Sequence, residues 1–306
     1  MNIMKRYILI IIVSLFAVQL FAQDETVKEK DTPVTETFNS GYIIDDQTVF
    51  VPDAKTLEFA IQHKFGSLEK GISNLYGIYG SSNIRLALNY VPLKKLQIGA
   101  GVTKNNMYTD FNAKWLVLNQ TENNSIPVSV ALYGVAAIDG RNADIIGTGQ
   151  VVDTKGEALS NEVSLGDRFS YFSQIIIGRK FTDWLSLQAG ASFSHYNMVK
   201  WEADHDKVGL HFNGRVKFSP QSSIIFNYNQ PLKIKSISEQ DEWTAANDPL
   251  PNVSIGWEIS TYTHVFQIYL GTADGMLPQD NLMFNRNDWL DKGLRFGFNI
   301  TRLWMY

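Results

Sequence analysis

Apolar and polar residues alternate along most of this chain, and that alternation constrains its fold more than any other feature. Apolar residues stand at every second position of Ile84–Tyr90, with polar residues such as Arg85 and Asn89 between them. Val208–Phe218 and Val253–Ile259 repeat the pattern. Successive side chains of a β-strand point to opposite faces, so each such segment predicts a strand with one apolar and one polar face. The sequence therefore predicts an all-β protein.

Together with weaker runs, the alternation predicts a transmembrane antiparallel up-and-down β-barrel of about twelve strands. The connections give independent support, because every second one is short, as at Pro92–Lys94, whereas most of the others are long, as at Asp139–Asp167. Outer-membrane barrels have short periplasmic turns and longer outer loops, and an even strand number then places both termini in the periplasm. The barrel takes residues 54–306, with strands predicted at 54–65, 84–91, 95–104, 109–118, 127–138, 168–179, 184–195, 208–218, 223–230, 252–260, 263–271 and 293–306.

Soluble β-sandwiches and small soluble barrels also alternate, so the positions of the aromatic residues help to decide between the classes. A soluble fold concentrates its aromatics in the core, whereas a membrane barrel carries them in two bands at the bilayer interfaces. Aromatics near both ends of the predicted strands favour the membrane barrel. Those near the predicted periplasmic ends are Tyr90, Trp184, Phe218, Tyr262, Trp304 and Tyr306, and those near the outer ends are Phe65, Phe111, Tyr171, Phe193 and Tyr228.

Composition excludes a helical membrane protein. The chain has 306 residues and is 44% hydrophobic. Beyond residue 22 its longest apolar stretch is Val128–Ile138, which is too short for a helix span of about 20 residues but matches a tilted strand of about 9–11. The net charge of −4, without a basic cluster, argues against a nucleic-acid partner. The absence of cysteine excludes disulfides and a lipid-modified cysteine.

The N-terminal part of the chain has the features of an exported protein. Residues 1–22 are expected to be a signal peptide, because Lys5 and Arg6 precede the apolar run Tyr7–Leu20 and the small residue Ala22 precedes the expected cleavage position. The protein is therefore expected in the outer membrane.

Residues 23–53 are predicted to form a periplasmic N-terminal segment. Asp24–Thr37 is charged and lacks aromatics, which indicates disorder. Phe38–Pro52 contains two short apolar patches that are split by Asp45 and Asp46. We expect this second part to dock into the mouth of the barrel.

The last strand carries the most specific local signal. The chain stops on an aromatic residue at the end of an amphipathic strand, and this resembles the C-terminal signal that the barrel assembly machinery reads. Arg302 on the same face is tolerable only near a membrane interface. The predicted assembly signal is Phe296, Phe298, Ile300, Trp304 and Tyr306.

Several segments, taken in order and spacing, resemble a family of Bacteroidota outer-membrane β-barrels known as domain of unknown function 5777. The resemblance covers most of the chain after the signal peptide. It implies a fold and a location, and the family has no established activity to transfer. The segments that carry it are Ile61-Gln-His-Lys-Phe-Gly66, Asn83-Ile-Arg-Leu86, Ile126-Pro-Val-Ser-Val130, Gly178-Arg-Lys-Phe181, His264-Val-Phe-Gln267 and Phe296-Gly-Phe-Asn-Ile300.

No catalytic residue is assigned, and the protein is not expected to be an enzyme. His63 and His264 fall on lipid-facing registers near strand ends, and His211 faces the lumen beside Arg215. A barrel phospholipase needs a serine and a histidine on adjacent strands, with a third group orienting the histidine, and no compact motif of that kind is visible. Glu202–Asp206 offers oxygen and imidazole ligands, but its spacing is not that of an EF-hand. We therefore predict neither a metal nor a cofactor.

Two functions remain open at this stage. The first is a pore for small solutes or ions. The second is a structural or interaction barrel whose lumen is plugged by side chains and whose loops or N-terminal segment bind partners. The inward registers lean basic although the chain is acidic, so an open lumen should prefer anions, while a blocked one would be filled with salt bridges. Outer-membrane lipids and the barrel assembly machinery are the expected partners. The predicted lumen charges are Lys64, Arg85, Lys114, Arg215, Lys217 and Arg295 against Glu58, Asp110 and Glu258.

Overall fold

The computed structural model describes residues 31–147, 150–159, 163–290 and 293–306, and it contains a closed antiparallel barrel. Twelve strands form the barrel, and the last pairs with the first. The predicted fold class and strand number are confirmed. The strands in chain order, all in the barrel except β1, β2, β8 and β11, are β1 (Tyr42–Ile43), β2 (Asp46–Gln47), β3 (Thr56–Ser67), β4 (Asn83–Leu93), β5 (Leu96–Thr103), β6 (Thr109–Leu118), β7 (Ser129–Ile138), β8 (Val151–Asp153), β9 (Phe169–Lys180), β10 (Leu185–Tyr196), β11 (Met198–Lys200), β12 (Asp206–Lys217), β13 (Ser222–Pro231), β14 (Asn252–Ser260), β15 (His264–Gly271) and β16 (Arg295–Met305).

The two ends of the barrel differ in their connections. Most connections at one end, which we call the turn end, are short, and most at the other, the loop end, are longer. The short connection 104–108 between β5 and β6 is the exception at the loop end. The longer segments include the two-stranded sheet of β8 and β11. Two short α-helices also lie there, α1 (Ala143–Ile146) and α2 (Pro278–Phe284), together with the 3-10 segments Leu68–Asn74, Asn105–Met107 and Lys235–Ile237.

The barrel wall is apolar outside and polar inside, the reverse of a soluble barrel. Outward residues are large and exposed: Leu88 is 53% accessible, Trp115 52% and Ile255 58%. Inward residues are polar and buried, as Asp110 (0%) and Lys114 (1%) show. Apolar surface of this extent is stable only against lipid, because water would disfavour it. None of the helices in the described part of the chain has the length and apolarity that crossing a membrane requires.

The N-terminal segment fills the lumen. The chain passes the turn end, where the Val34 amide donates to the Gln120 carbonyl (2.8 Å), and returns there, where the Lys55 amide donates to the Val91 carbonyl (2.7 Å). Between these points residues 38–51 form a hairpin around β1 and β2, which we call the plug hairpin. Its tip residue Ile44 is fully buried. Residues 1–30, including the predicted signal peptide, lie outside the described residues.

The structure places the N-terminal segment deeper in the barrel than the sequence predicts. Phe38–Pro52 does not merely dock at the mouth but occupies the lumen. The described part of the predicted disordered leader, from Asp31 onward, is instead held by specific contacts, such as the Glu122 amide donating to the Thr32 carbonyl at 3.0 Å. Hydrogen bonds to the turn between β6 and β7, which the local composition does not reveal, fix this segment.

An apolar core inside the lumen explains where the alternation fails. Ile43, Ile44 and Val49 of the plug hairpin belong to one buried cluster with inward residues of the wall, including Phe172 and Ile176. Ile175–Ile177 breaks the alternation because Ile176 is an apolar residue that faces inward, and the plug hairpin covers it there. An inward apolar residue on a membrane barrel is therefore a sign that something packs against it.

Candidate functional site in the barrel lumen

Two of the predicted lumen cations are neutralised by acids of the wall itself. The Arg85 guanidinium donates to both carboxylate oxygens of Asp110, at 2.9 and 2.6 Å. Arg215 Nε lies 3.3 Å from an oxygen of Glu258. All four residues are buried. Charges this deep require partners, since an unpaired buried ion carries a large desolvation cost.

Three other predicted cations are paired with acids that do not belong to the wall. Lys64 Nζ lies 2.6 Å from Asp45 of the plug hairpin. Lys217 Nζ lies 3.4 Å from Glu36, just before the hairpin. Arg295 lies 3.4 Å from Asp274, in the segment that leads to α2. The acids that balance the wall therefore come from the segments that close it.

Lys114, the last of the six cations, faces both the wall and the plug hairpin. Its ammonium donates to Gln47 Oε1 (3.0 Å) and to the Gly41 carbonyl (3.3 Å), and the carboxylate of Glu58 is its acidic neighbour. The structure thus places the nine predicted charges inside the barrel or at its ends. The cations that outnumber the acids of the wall have acidic partners in other segments. The sequence prediction did not include these partners because it considered the residues of the barrel strands alone.

The sequence did contain a signal for these missing acids. Asp45 and Asp46 interrupt an apolar patch, and an acidic pair between apolar residues in a segment of some fifteen residues is unusual for a disordered leader. The structure shows the reason: Asp45 binds Lys64 and accepts from Asn252 Nδ2 at 3.0 Å, and Asp46 accepts from Asn229 Nδ2 at 3.0 Å.

Side chains of the wall hold the backbone of the plug hairpin. The side chain of Gln267 accepts a hydrogen bond from the Ile44 amide (3.1 Å) and donates one to the Tyr42 carbonyl (2.9 Å). Asn299 donates to the Ile44 carbonyl (2.8 Å), and Gln188 donates to the Gln47 carbonyl (2.7 Å). In the described part of the chain no backbone-to-backbone hydrogen bond joins residues 38–51 to a barrel strand. The hairpin could therefore leave without breaking a strand ladder.

One inward array has a geometry that local sequence reasoning missed. Ser192 Oγ lies 2.7 Å from His211 Nε2, and His211 Nδ1 lies 2.9 Å from Asn229 Oδ1 and 3.5 Å from Asp46. A serine, a histidine and an orienting group in line resemble a nucleophilic triad. Here Ser192 is 6% exposed and lies beside Gly209, where a Cβ would strike Leu282 of α2. Ser192 and His211 are both buried, and the array joins β10, β12 and β13 in one hydrogen-bond network.

Helix α2 closes the loop end of the lumen. Tyr108 and Tyr196 both donate to Asp280 Oδ1, at 3.0 and 2.6 Å, and Tyr196 packs edge-on against Phe284, with ring centroids 5.1 Å apart. Burial raises the pKa of Asp280 to about 6, while the hydrogen bonds from Tyr196 and Tyr108 act in the opposite direction. No cation lies within 4 Å of this carboxyl among the described residues.

The remaining predicted residues fall on the outer wall and in the loops. Phe296, Phe298, Ile300 and Trp304 lie on the outward register of β16, and Arg302 lies over the Trp304 ring at 4.8 Å, near the turn end. Their role in assembly stays a prediction.

The acidic run Glu202–Asp206 is engaged by neighbouring side chains. Asp204 forms a 3.0 Å ion pair with Lys207, and His205 lies 2.7 Å from Glu239. Over the described ranges, no group of three or more histidine or acidic residues is arranged to hold a metal ion.

Comparison with known proteins gives a family and a set of similar barrels. The family model described as "Membrane bound beta barrel domain (DUF5777)" matches residues 38–304. That range includes the plug hairpin as well as the barrel. None of the curated proteins compared with the chain matches it.

Solved structures of similar shape include three barrels. An outer membrane channel from Pseudomonas putida F1 is 10% identical, with 83% of this chain and 97% of that chain covered and a TM-score of 0.46. The NanC porin is 7% identical, with coverage of 82% and 99% and a TM-score of 0.47. The KdgM porin, solved in complex with disordered oligogalacturonate, is 8% identical, with coverage of 82% and 99% and a TM-score of 0.42.

Proposed function

We propose that this chain, which belongs to the DUF5777 family of membrane-bound beta barrel domains, is an outer-membrane channel for small anions whose pore the plug hairpin and α2 hold shut. The observation that carries the proposal is the division of charge. The wall supplies an excess of cations, and the hairpin with its lead-in supplies the acids Asp45 and Glu36 that neutralise Lys64 and Lys217, with Asp46 as a third acid beside Asn229.

Opening requires α2 to leave the loop end and the hairpin to withdraw, and withdrawal of the hairpin would change both the width and the charge of the lumen. Both of its ends lie at the turn end, and the wall holds it by side chains alone, so it can move as a unit. Once it leaves, Lys64 and Lys217 lose their acidic partners, while Arg85 and Arg215 keep theirs. A lumen that faces water with unpaired cations attracts anions.

The alternative function is a permanently filled barrel that acts through its loops or its N-terminal segment. The buried core between the hairpin and the wall favours this second candidate, since it contributes apolar burial that an open channel would lose. Conductance separates the two, because a permanently filled barrel passes no current in any state of the hairpin.

The first prediction is that repulsion at the hairpin tip opens the channel. In Asp45→Arg a cation faces Lys64 in place of its 2.6 Å partner, and a like-charge pair costs several kcal/mol, so open events in planar bilayers should increase about tenfold or more. Under a KCl gradient the reversal potential should have the sign of anion preference.

A lockable variant provides the matched control. Ser40 Oγ lies 3.3 Å from Thr301 Oγ1, so Ser40→Cys with Thr301→Cys should form a disulfide that ties the hairpin to the wall in a chain without other cysteines. Added to Asp45→Arg, it should keep the channel closed when oxidised and let it open on reduction. Cation preference would refute the assignment of a basic lumen. The absence of current from every variant would favour the permanently filled barrel.

The proposal includes an orientation, with the loop end outside the cell and the turn end in the periplasm, as the loop lengths indicate. A membrane-impermeant thiol reagent applied to whole cells should label Gly156→Cys, in a long loop, and not Gln221→Cys, in the short turn between β12 and β13. Labelling of position 221 alone would reverse the orientation.

A further inference from the structure

A cavity of about 490 Å³ lies above α2 at the loop end, outside the closed lumen. Tyr108, Tyr196 and Phe284 are part of its lining, where α2 meets the wall, and the long segments around α1, β8 and β11 form its sides. A volume between about 300 and 1,000 Å³ is typical of small-molecule sites. The cavity is formed by residues far apart in the chain, which distinguishes it from a gap within one loop.

Two arginines of this cavity lack an acidic partner among the described residues. Arg141 is neutralised by Asp139, with 2.5 Å between Nη2 and a carboxylate oxygen. Among the described residues, Arg168 donates to the carbonyls of Asp139 (2.9 Å) and Arg141, and Arg286 donates to the Ala246 carbonyl (2.5 Å). No acid lies within 4 Å of either guanidinium in the part of the chain that the structure describes.

Arg286 is exposed at the cavity, so an anion can reach its guanidinium, which nevertheless loses part of its hydration there. Desolvation lowers the pKa of its guanidinium, and the more distant Asp248 offsets this only in part. An anion bound beside Arg286 would supply the missing charge, and Arg168 offers a second set of donors on the same lining. Carbonyl hydrogen bonds already fix both side chains, so little ordering is required on binding.

Other lining residues define the rest of the ligand. Apolar side chains, among them Phe169, Ile146 and Val199, face the cavity together with Phe284. Acids also line it, since Asp167 and the exposed Glu202 belong to the same wall. Counted with Lys200 and Asp139, the four cations of the lining exceed its three acids by one, so a single negative charge neutralises the lining and a second one is in excess. The lining therefore suits a monoanion with an apolar body.

We propose that this cavity binds a small amphipathic monocarboxylate, with its carboxylate against Arg168 and Arg286 and its apolar or aromatic body against Phe169 and Phe284. The site is independent of the proposed channel, because it lies outside the closed lumen and needs no movement of the plug hairpin. Its floor includes the two tyrosines that hold α2 through Asp280.

The test uses the full-length purified barrel and four probes of equal length titrated by calorimetry. These are 4-phenylbutyrate, its neutral amide, 4-phenylbutylamine and 3-phenylpropylphosphonate. The carboxylate should bind about tenfold tighter than the amide, as expected for a charge-assisted hydrogen bond. It should also bind tighter than the amine and, at a pH above the second pKa of the phosphonate, tighter than the dianionic phosphonate. Equal binding of carboxylate and amide, or preference for the amine or the phosphonate, would overturn the proposal.

Two substitutions locate the site. Arg286→Gln and Arg168→Gln should each abolish the preference for the carboxylate over the amide, whereas Lys155→Gln, which removes a cation from an exposed turn outside the cavity lining, should leave it unchanged. The shift in electrophoretic mobility on heating shows whether each variant is folded. The preference of the wild-type protein among the four probes decides the proposal even if a variant fails to fold, and its survival in a folded Arg286→Gln barrel would contradict it.

Discussion

The plug hairpin and helix α2 close the same lumen, yet they bury their carboxyl groups in different ways. Asp45 of the hairpin lies 2.6 Å from the ammonium of Lys64, so its charge is matched by a cation. Asp280 of α2 has two tyrosine hydroxyls instead. An ion pair holds a carboxylate in its charged form, whereas burial beside neutral donors favours the protonated acid. The two closures should therefore respond to different perturbations.

The largest expected effect is on the ion pair at the hairpin tip. Lys64→Met leaves Asp45 buried without its cation, and removing one partner of a buried pair costs about 3–5 kcal/mol. Hydrogen exchange of the Ile44 amide, which donates to Gln267, should then become about a hundredfold faster or more. Lys64 also donates to the Gly275 carbonyl at 2.7 Å, so exchange near α2 should increase as well.

A double variant isolates the ion pair from this second contact. Asp45→Asn combined with Lys64→Met removes both charges, and much of the protection of Ile44 should return because no unpaired ion remains. Lys155→Met, at an exposed turn, serves as the control. If Lys64→Met leaves the hydrogen exchange at Ile44 unchanged, the ion pair does not hold the hairpin. The expected difference between the two closures is then wrong for the hairpin.

The sequence predicted the wall far better than it predicted the two closures. Each strand alternates because lipid on one side and a polar lumen on the other impose opposite demands on neighbouring residues, and that rule is local. The closures depend on contacts between distant segments, such as Asp45 with Lys64 and Asp280 with Tyr196. The local traces of those contacts were places where the rule failed, such as Ile175–Ile177.

The partners of the charged residues at the candidate sites also come from distant segments, which local sequence patterns do not predict. An inward register identifies a lumen charge but not its partner, so it does not show that Lys217 pairs with Glu36 or Arg295 with Asp274. Arg168 and Arg286 lie in separate loops, and nothing in either loop indicates that they line one cavity. Wall positions follow from a period of two, whereas loop positions follow from the fold as a whole.

A smaller effect is expected at α2, and it should depend on pH. Burial raises the pKa of Asp280 from 3.8 to about 6, so docking of α2 is strongest below about pH 4 and weakens as the pH rises through 6, by on the order of 3 kcal/mol. Exchange of the α2 amides, corrected for intrinsic rates, should be slower at pH 4 than at pH 7. Asp280→Asn is neutral throughout and should remove most of this difference.

Other charged groups could produce a similar curve, so the tyrosines provide the sharper test. Asp139 and Asp274 also raise the pKa of Asp280, and Arg141 lies near enough to interact with it. The hydrogen bonds from Tyr196 and Tyr108 lower it, so Tyr196→Phe and Tyr108→Phe should each move the midpoint of the exchange curve to higher pH. The Tyr196 bond is shorter, 2.6 against 3.0 Å, and its loss should give the larger shift, while phenylalanine retains the ring that packs on Phe284. A midpoint that stays in place in both variants would mean that another group titrates, and that α2 does not close the lumen through a neutral acid.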